Sequence, residues 1–321
     1  MGDYAKTIEY SQQSLTNARE IKNRRNESLA LNNLGITYYC LGDYAKAIAY
    51  HEQSLTITRE IGDRIEEGRS LGNIGNVYYS LGHYQKAIAC HQQCLAIAQE
   101  IGDWIEEGRS LGNIGNVYYS LGDYQKAIAC HQQCLAIAQE IGHRYGVGHA
   151  LNNLGNSYYS FQEYDRSLDL YQQSLCIARE IGYLSGEGEA LGNIGNVYYS
   201  LEDYQQAINY HQQCLAIAQQ IGNRLGEAKA LANLGRTFIK IYHYSKSLET
   251  LQVSLQIYRT IGSRFGEAVT LKYLAELYLQ IGDRTLALES CDRALSISTE
   301  LGIPVAKECQ ELKEQLLSEQ T

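Results

Sequence analysis

The residues with the most obvious chemistry occur as a duplicated motif. Cys90-His91-x-x-Cys94 and Cys130-His131-x-x-Cys134 each put two thiols and an imidazole within one helical turn, and these are ligand types that take zinc or copper. The same positions elsewhere hold Ser174, Ser254 and Tyr171, and a metal-binding set does not exchange thiolate for hydroxyl so freely. The motif therefore reads as packing, and no metal or cofactor is expected. Of the eight histidines, His51, His91, His131 and His211 recur at one position, which suits a packing residue better than a unique catalytic base. No Walker loop is present, so the chain is read as no enzyme.

A second set has the chemistry of recognition. Asn33, Asn73, Asn113, Asn153, Asn193 and Asn233 share one helical position, and Asn76, Asn116, Asn156 and Asn196 follow three residues later on the same side. Each carboxamide offers donors and an acceptor together. The pattern is costly. Relative to Ala, Gly gives up about 1 kcal/mol and Asn roughly 0.6, so one Gly-Asn-Ile-Gly-Asn stretch forfeits about 3 kcal/mol of helix propensity. Packing accounts for Gly75 alone. The remainder points to a groove function, against two structural readings: Asn bonds between adjacent first helices, or a pattern copied by duplication.

The elements that must position these residues repeat every 40 residues, beginning at Leu31, Leu71, Leu111, Leu151, Leu191, Leu231 and Leu271. Gly62–Ile101 and Gly102–Ile141 differ only in Arg64/Trp104 and His83/Asp123. Each repeat reads as two helices. In the first, Leu71, Ile74, Val77 and Tyr78 recur at three- and four-residue steps, and Leu81-Gly82 ends it. The second, about Tyr84–Ile101, carries Ala87, Ile88, His91, Cys94, Leu95 and Ala98 on one face, and Gly102 ends it. Asp43, Asp123, Asp203 and Asp283 are placed to cap second helices. One such pair cannot bury its own apolar stripe, so stacked neighbours must complete the core.

In chain order, Tyr4–Ile21 is a second helix without its first, which suggests an uncapped edge open to self-association and a fragment of a longer array. Seven pairs follow, with first helices at about 24–40, 64–80, 104–120, 144–160, 184–200, 224–240 and 264–280. Pro304 then precedes a closing helix. The expected organisation is a single solenoid domain over 1–321: a half repeat (1–21), seven units (22–301) and a capping helix (302–321). Net charge of −9 argues against nucleic acid as the partner. No apolar run approaches membrane-spanning length, and no signal peptide is evident. Nine cysteines, an odd count, favour reduced thiols. A cytoplasmic protein is expected.

Within Leu71–Cys94 the order L-x-x-I-G-x-x-Y, L-G-x-Y, A-x-x-x-H-x-x-C resembles the tetratricopeptide repeat (TPR) signature, departing from it at His91, Cys94 and the 40-residue period. The long period and the L-G-N-x-G-N words are most similar to Pins/LGN polarity adaptors, then to kinesin light chains and long bacterial TPR arrays. The resemblance implies an all-α, right-handed TPR superhelix whose first helices line a concave surface, where Asn side chains clamp the backbone of an extended peptide.

Carried over residue by residue, the groove of the second pair has Arg69, Gly72, Asn73, Asn76, Tyr79 and Ser80, and the third has Arg109, Gly112, Asn113, Asn116, Tyr119 and Ser120. The fourth has His149, Asn152, Asn153, Asn156, Tyr159 and Ser160, and the fifth Glu189, Gly192, Asn193, Asn196, Tyr199 and Ser200. The sixth has Lys229, Ala232, Asn233, Arg236, Ile239 and Lys240. With Lys272 and Glu276 of the seventh pair, these positions carry net positive charge, concentrated at Lys229, Arg236 and Lys240. The expected partner is a protein segment bearing acidic residues. The alternative is a regulatory sensor array from a larger bacterial signalling NTPase or protease.

Overall fold

A computed structural model describes residues 4–318. Among the described residues the chain is a run of α-helices without strands. The helices form two compact units that divide at Gln162 and Glu163. The first comprises α1 (Tyr4–Glu20), α2 (Arg24–Cys40), α3 (Tyr44–Ile61), α4 (Arg64–Ser80), α5 (Tyr84–Ile101), α6 (Trp104–Ser120), α7 (Tyr124–Glu140) and α8 (Arg144–Ser160). The second comprises α9 (Tyr164–Glu180), α10 (Leu184–Ser200), α11 (Tyr204–Gln220), α12 (Arg224–Lys240), α13 (Tyr244–Ile261), α14 (Arg264–Gln280), α15 (Arg284–Leu301) and α16 (Val305–Ser318).

The extra length of the repeat goes into the helices, which run to 17 or 18 residues before α16. Short turns join them, and their chemistry is written in the sequence. Gly82 and Gly122 end α4 and α6 with φ of 71° and 76°, in the left-handed region that glycine adopts without steric cost. Asp43, Asp123, Asp203 and Asp283 accept from the backbone N–H three residues on, satisfying one exposed donor at each second helix. At the corresponding position His83 makes no such bond.

Within each unit the core lies between first and second helices. Leu71, Ile74 and Val77 of α4 are buried with Ala87, Ile88, His91, Cys94, Ile97 and Ala98 of α5. Tyr78 and Leu95 are half-buried. The imidazole of His91 lies flat against α4 where Gly75 has no side chain: a Cβ there would sit 2.7 Å from the ring. His51 meets Gly35 and His131 meets Gly115 in the same way, as does His211 with Gly195 in the second unit. In that unit α16 follows Pro304 and buries Cys309 and Leu316 completely, joining the core built by α12–α15.

Candidate functional site

The ladder positions fall along the first helices. In the first unit Asn73, Asn76, Asn113, Asn116, Asn153 and Asn156 are half-buried, Arg69, Arg109 and Tyr79 are exposed, and Tyr119 and Tyr159 are half-buried. In the second, Asn193, Asn196, Tyr199, Asn233 and Arg236 are half-buried, Lys229 and Lys240 are exposed, and Ile239 belongs to the core.

Some of these side chains tie neighbouring first helices together. Asn73 Nδ2 donates to Asn32 Oδ1 at 3.0 Å, and Asn233 Nδ2 donates to Asn196 Oδ1 at 3.2 Å. Asn153 pairs instead with His149 on its own helix. Among the described residues, Asn76, Asn113 and Asn116 make no side-chain hydrogen bond within the protein. The tyrosines form a second ladder: Tyr39 with Ser80 at 2.9 Å, Tyr79 with Ser120 at 2.9 Å, and Ser160 donating to Tyr119 at 3.0 Å. The tyrosine hydroxyls thus link repeats. The partners are 41 residues apart, so the pattern inside one repeat could not reveal them.

The charge expected of this face is largely spent internally. Arg69 pairs with Glu66 and Arg109 with Glu106, each one helical turn apart, and Lys272 pairs with Glu276 and Glu308. Glu66, Glu106 and Glu308 lie outside the ladder and were missed by counting ladder positions alone. Arg236 stacks 3.8 Å over the Tyr199 ring and donates toward Tyr273 Oη at 3.4 Å, bridging α10 and α14. Burial pushes the Tyr199 hydroxyl up to about 12. Among the described residues Lys229 and Lys240 have no carboxylate partner, so the unneutralised charge stands on α12.

Notches open between successive first helices. In the first unit a cavity of about 480 Å³ lies between α6 and α8, with Gly108, Gly112 and Gly146 at its edges, Cys134 and Ile137 of α7 as its floor, and Trp104 and Tyr145 as aromatic walls. Trp104 is one of the two changes between the duplicated repeats. Its counterpart Arg64 is engaged with Glu67 and Glu100. In the second unit an equivalent cavity of about 240 Å³ lies between α10 and α12 over Gly188, Gly192 and Cys214, and Lys229, Asn193, Asn196 and Asn233 line it. Between α4 and α6, Glu106 enters the corresponding space. Between α12 and α14, the Tyr258 ring fills it, lying within 2.2 Å of where a Cβ at Gly266 would be.

Desolvation sets the chemistry of the buried groups. It lowers His51, His91 and His131 to about 4 and His211 to about 3, so the imidazoles are neutral. It raises the Cys134 and Cys214 thiols to about 11. These are the properties of packing groups, since a nucleophile or metal ligand needs the thiolate. Among the described residues no cluster of three His, Cys, Asp or Glu side chains is arranged to hold a metal ion, and no helix is long and apolar enough to cross a membrane. All nine cysteines are free.

Among curated proteins none matches the chain significantly. Solved structures do resemble it. Aspartyl phosphate phosphatase F from Bacillus subtilis superposes with a TM-score of 0.70 at 16% identity, covering 89% of this chain and 74% of that one. The Rap conjugation gene regulator of plasmid pLS20, in complex with its Phr peptide, gives 0.64 at 16%, covering 92% and 76%. A signal-transduction ATPase with numerous domains (STAND) and a tetratricopeptide repeat sensor, from Pyrococcus horikoshii, gives 0.67 at 15%, covering 98% of this chain and 50% of that one. At such identities the likeness is one of fold. The sequence itself matches the tetratricopeptide repeat family over residues 1–60, 27–100, 106–180 and 187–260. With that match over most of its length and repeated helix pairs within each unit, the chain belongs to the tetratricopeptide repeat family.

Proposed function

We propose that this protein is a non-enzymatic scaffold that grips an extended segment of a partner protein along its first helices. The observation that carries the reading is the state of the Asn ladder. Asn76, Asn113 and Asn116 hold half-buried carboxamides without intramolecular partners, placed beside open notches. Half-buried amides left unpaired lose part of their hydration with no return in the free protein, and a peptide backbone supplies both a donor and an acceptor for each. The pLS20 Rap regulator, whose structure was solved with a peptide, is a precedent on the same fold. Asn73 and Asn233 serve a structural purpose at the same time, as the bonds between first helices show.

The segment is acidic in this reading, and its acidic part lies at α12, where Lys229 and Lys240 stand unneutralised. Such charge steers association and sets register more than it adds affinity. The test is the salt dependence of binding for a partner segment recovered by the wild-type protein. Weakening at high salt, and further weakening by Lys240→Glu, is expected; indifference to both refutes the acidic part of the reading. The neutral imidazoles and protonated thiols support the non-enzymatic assignment, and the free cysteines support a cytoplasmic location. Self-association through α1 rests on exposed Tyr10 and on Ile21 in the turn that follows the helix, and light scattering at rising concentration measures it.

A second reading has its own support. The STAND protein contains a tetratricopeptide repeat sensor, and this chain spans half the length of that protein. As a sensor array, the same face would take an effector or another domain of a longer protein. An ATPase domain in the upstream reading frame would favour it.

A further inference from the structure

The junction between α4 and α6 shows the chain's own carboxylate seated in the notch, beside a cavity of about 220 Å³ that stays open. The Glu106 carboxylate lies over Gly72, its Oε1 3.9 Å from where a Cβ on Gly72 would be. It accepts from Cys94 Sγ at 3.3 Å and from Arg109 Nε at 3.1 Å. One repeat earlier, another oxygen of the chain occupies the neighbouring space: Asn32, at the position of Gly72, places Oδ1 2.7 Å from His51 Nδ1 and receives Asn73 Nδ2 at 3.0 Å.

The junction between α10 and α12 carries the same arrangement without the oxygen. Gly192 replaces Gly72, Cys214 replaces Cys94, and Lys229 replaces Arg109, but Gly226 stands where Glu106 would be. The cavity there is about 240 Å³. Lys229 on its rim has no carboxylate partner among the described residues. Behind Gly195, on the same helix, His211 is fully buried with neither ring nitrogen hydrogen-bonded. We infer that this cavity is a binding site for one ligand carboxylate, seated over Gly192 between Lys229 and Cys214 as the Glu106 carboxylate is seated over Gly72 between Arg109 and Cys94. The inference rests on the peptide-scaffold reading and names the group that reading requires at α12. The cavity also has Glu189 in its lining, so it admits a single carboxylate and not a polyanion.

The carboxylate can come from an acidic side chain or from a chain terminus, and the test separates the two. Fluorescently labelled decapeptides of Ala and Ser, amidated at the C-terminus, carry one central Glu or one central Gln. A third peptide has neither and ends in a free carboxylate. Anisotropy measures their binding to the wild-type chain. At least tenfold tighter binding is expected for the central-Glu peptide, or for the free-terminus peptide, than for the Gln peptide. Lys229→Gln abolishes that preference and Lys229→Arg keeps it. Gly226→Glu restores the chain's own carboxylate and also abolishes the preference, with a melting temperature no lower than that of wild type. The Asn223 side chain must swing to admit the new Cβ, which would otherwise lie 2.9 Å from its Nδ2; Asp103 already caps beside Glu106 in the same geometry.

Equal binding of Glu, Gln and free-terminus peptides by the wild-type chain overturns the inference, as does undiminished preference in Lys229→Gln or in folded Gly226→Glu. The peptide-scaffold reading fails separately: Ala at Asn76, Asn113 and Asn116, all distant in sequence from this cavity, would then leave partner capture unchanged.

Discussion

Two glycine positions three residues apart within the repeat do different work. Gly75 faces the His91 ring, and a Cβ there would lie 2.7 Å from it, whereas a Cβ at Gly112 meets only Cys134 Sγ at 3.5 Å, an ordinary contact. Gly75→Ala is therefore expected to destabilise by about 2 kcal/mol through overpacking. Gly112→Ala is expected to stabilise by up to about 1 kcal/mol through helix propensity. Denaturant unfolding of both variants checks the contrast. The first role was legible in the sequence, because a small residue under a ring recurs with the repeat. The second was legible only as an unexplained cost, since the notch depends on which residue the next first helix sends toward it. The histidines give a pH dependence. Their folded values of about 4, and about 3 for His211, lie below the unfolded value near 6.5. The unfolded chain therefore binds more protons in that window. Stability is full above about pH 6.5 and falls as pH drops toward 4, each imidazole costing about 1.4 kcal/mol per pH unit. Melting temperature followed from pH 7 to 5 should fall. In His131→Tyr, which borrows the residue found at Tyr171, the fall should be shallower.

Helix boundaries were written plainly in the sequence because they are set locally, by glycines at helix ends and by Asp, Asn or Ser caps. The duplicated repeats contain a natural experiment. Asp123 caps α7 by accepting from Lys126 N at 3.3 Å, while His83 leaves the start of α5 uncapped. His83→Asp is expected to add about 1 kcal/mol. Glu202 holds the left-handed turn between α10 and α11 with φ of 62°, where its counterparts Gly82 and Gly122 fit without strain, so Glu202→Gly is expected to stabilise by about 1 kcal/mol. Thermal melting of each variant tests both. What the sequence concealed at this scale were contacts between repeats. The Tyr–Ser ladder and the Asn73–Asn32 bond depend on the register of neighbouring helices, which a one-repeat pattern does not encode. The Arg69–Glu66 and Arg109–Glu106 pairs, at helical spacing, were within reach and change the charge of the face.

For the molecule as a whole, the fold follows from repetition: a helix pair too small to bury its own stripe needs neighbours, and the repeated pairs within each unit supply them. The proposal for function is that the face made by first helices gives up helix propensity in exchange for carboxamides poised to bind a backbone. Its most direct test is a lysate pull-down with mass spectrometry, comparing the wild-type chain with a triple variant carrying Ala at Asn76, Asn113 and Asn116. These carboxamides have no intramolecular bond to lose and Ala is the better helix former, so the variant should fold and melt no lower. A partner captured by the wild type and lost by this folded variant is the predicted result, whereas equal capture by both proteins would contradict the clamp and assign the Asn ladder to the architecture alone.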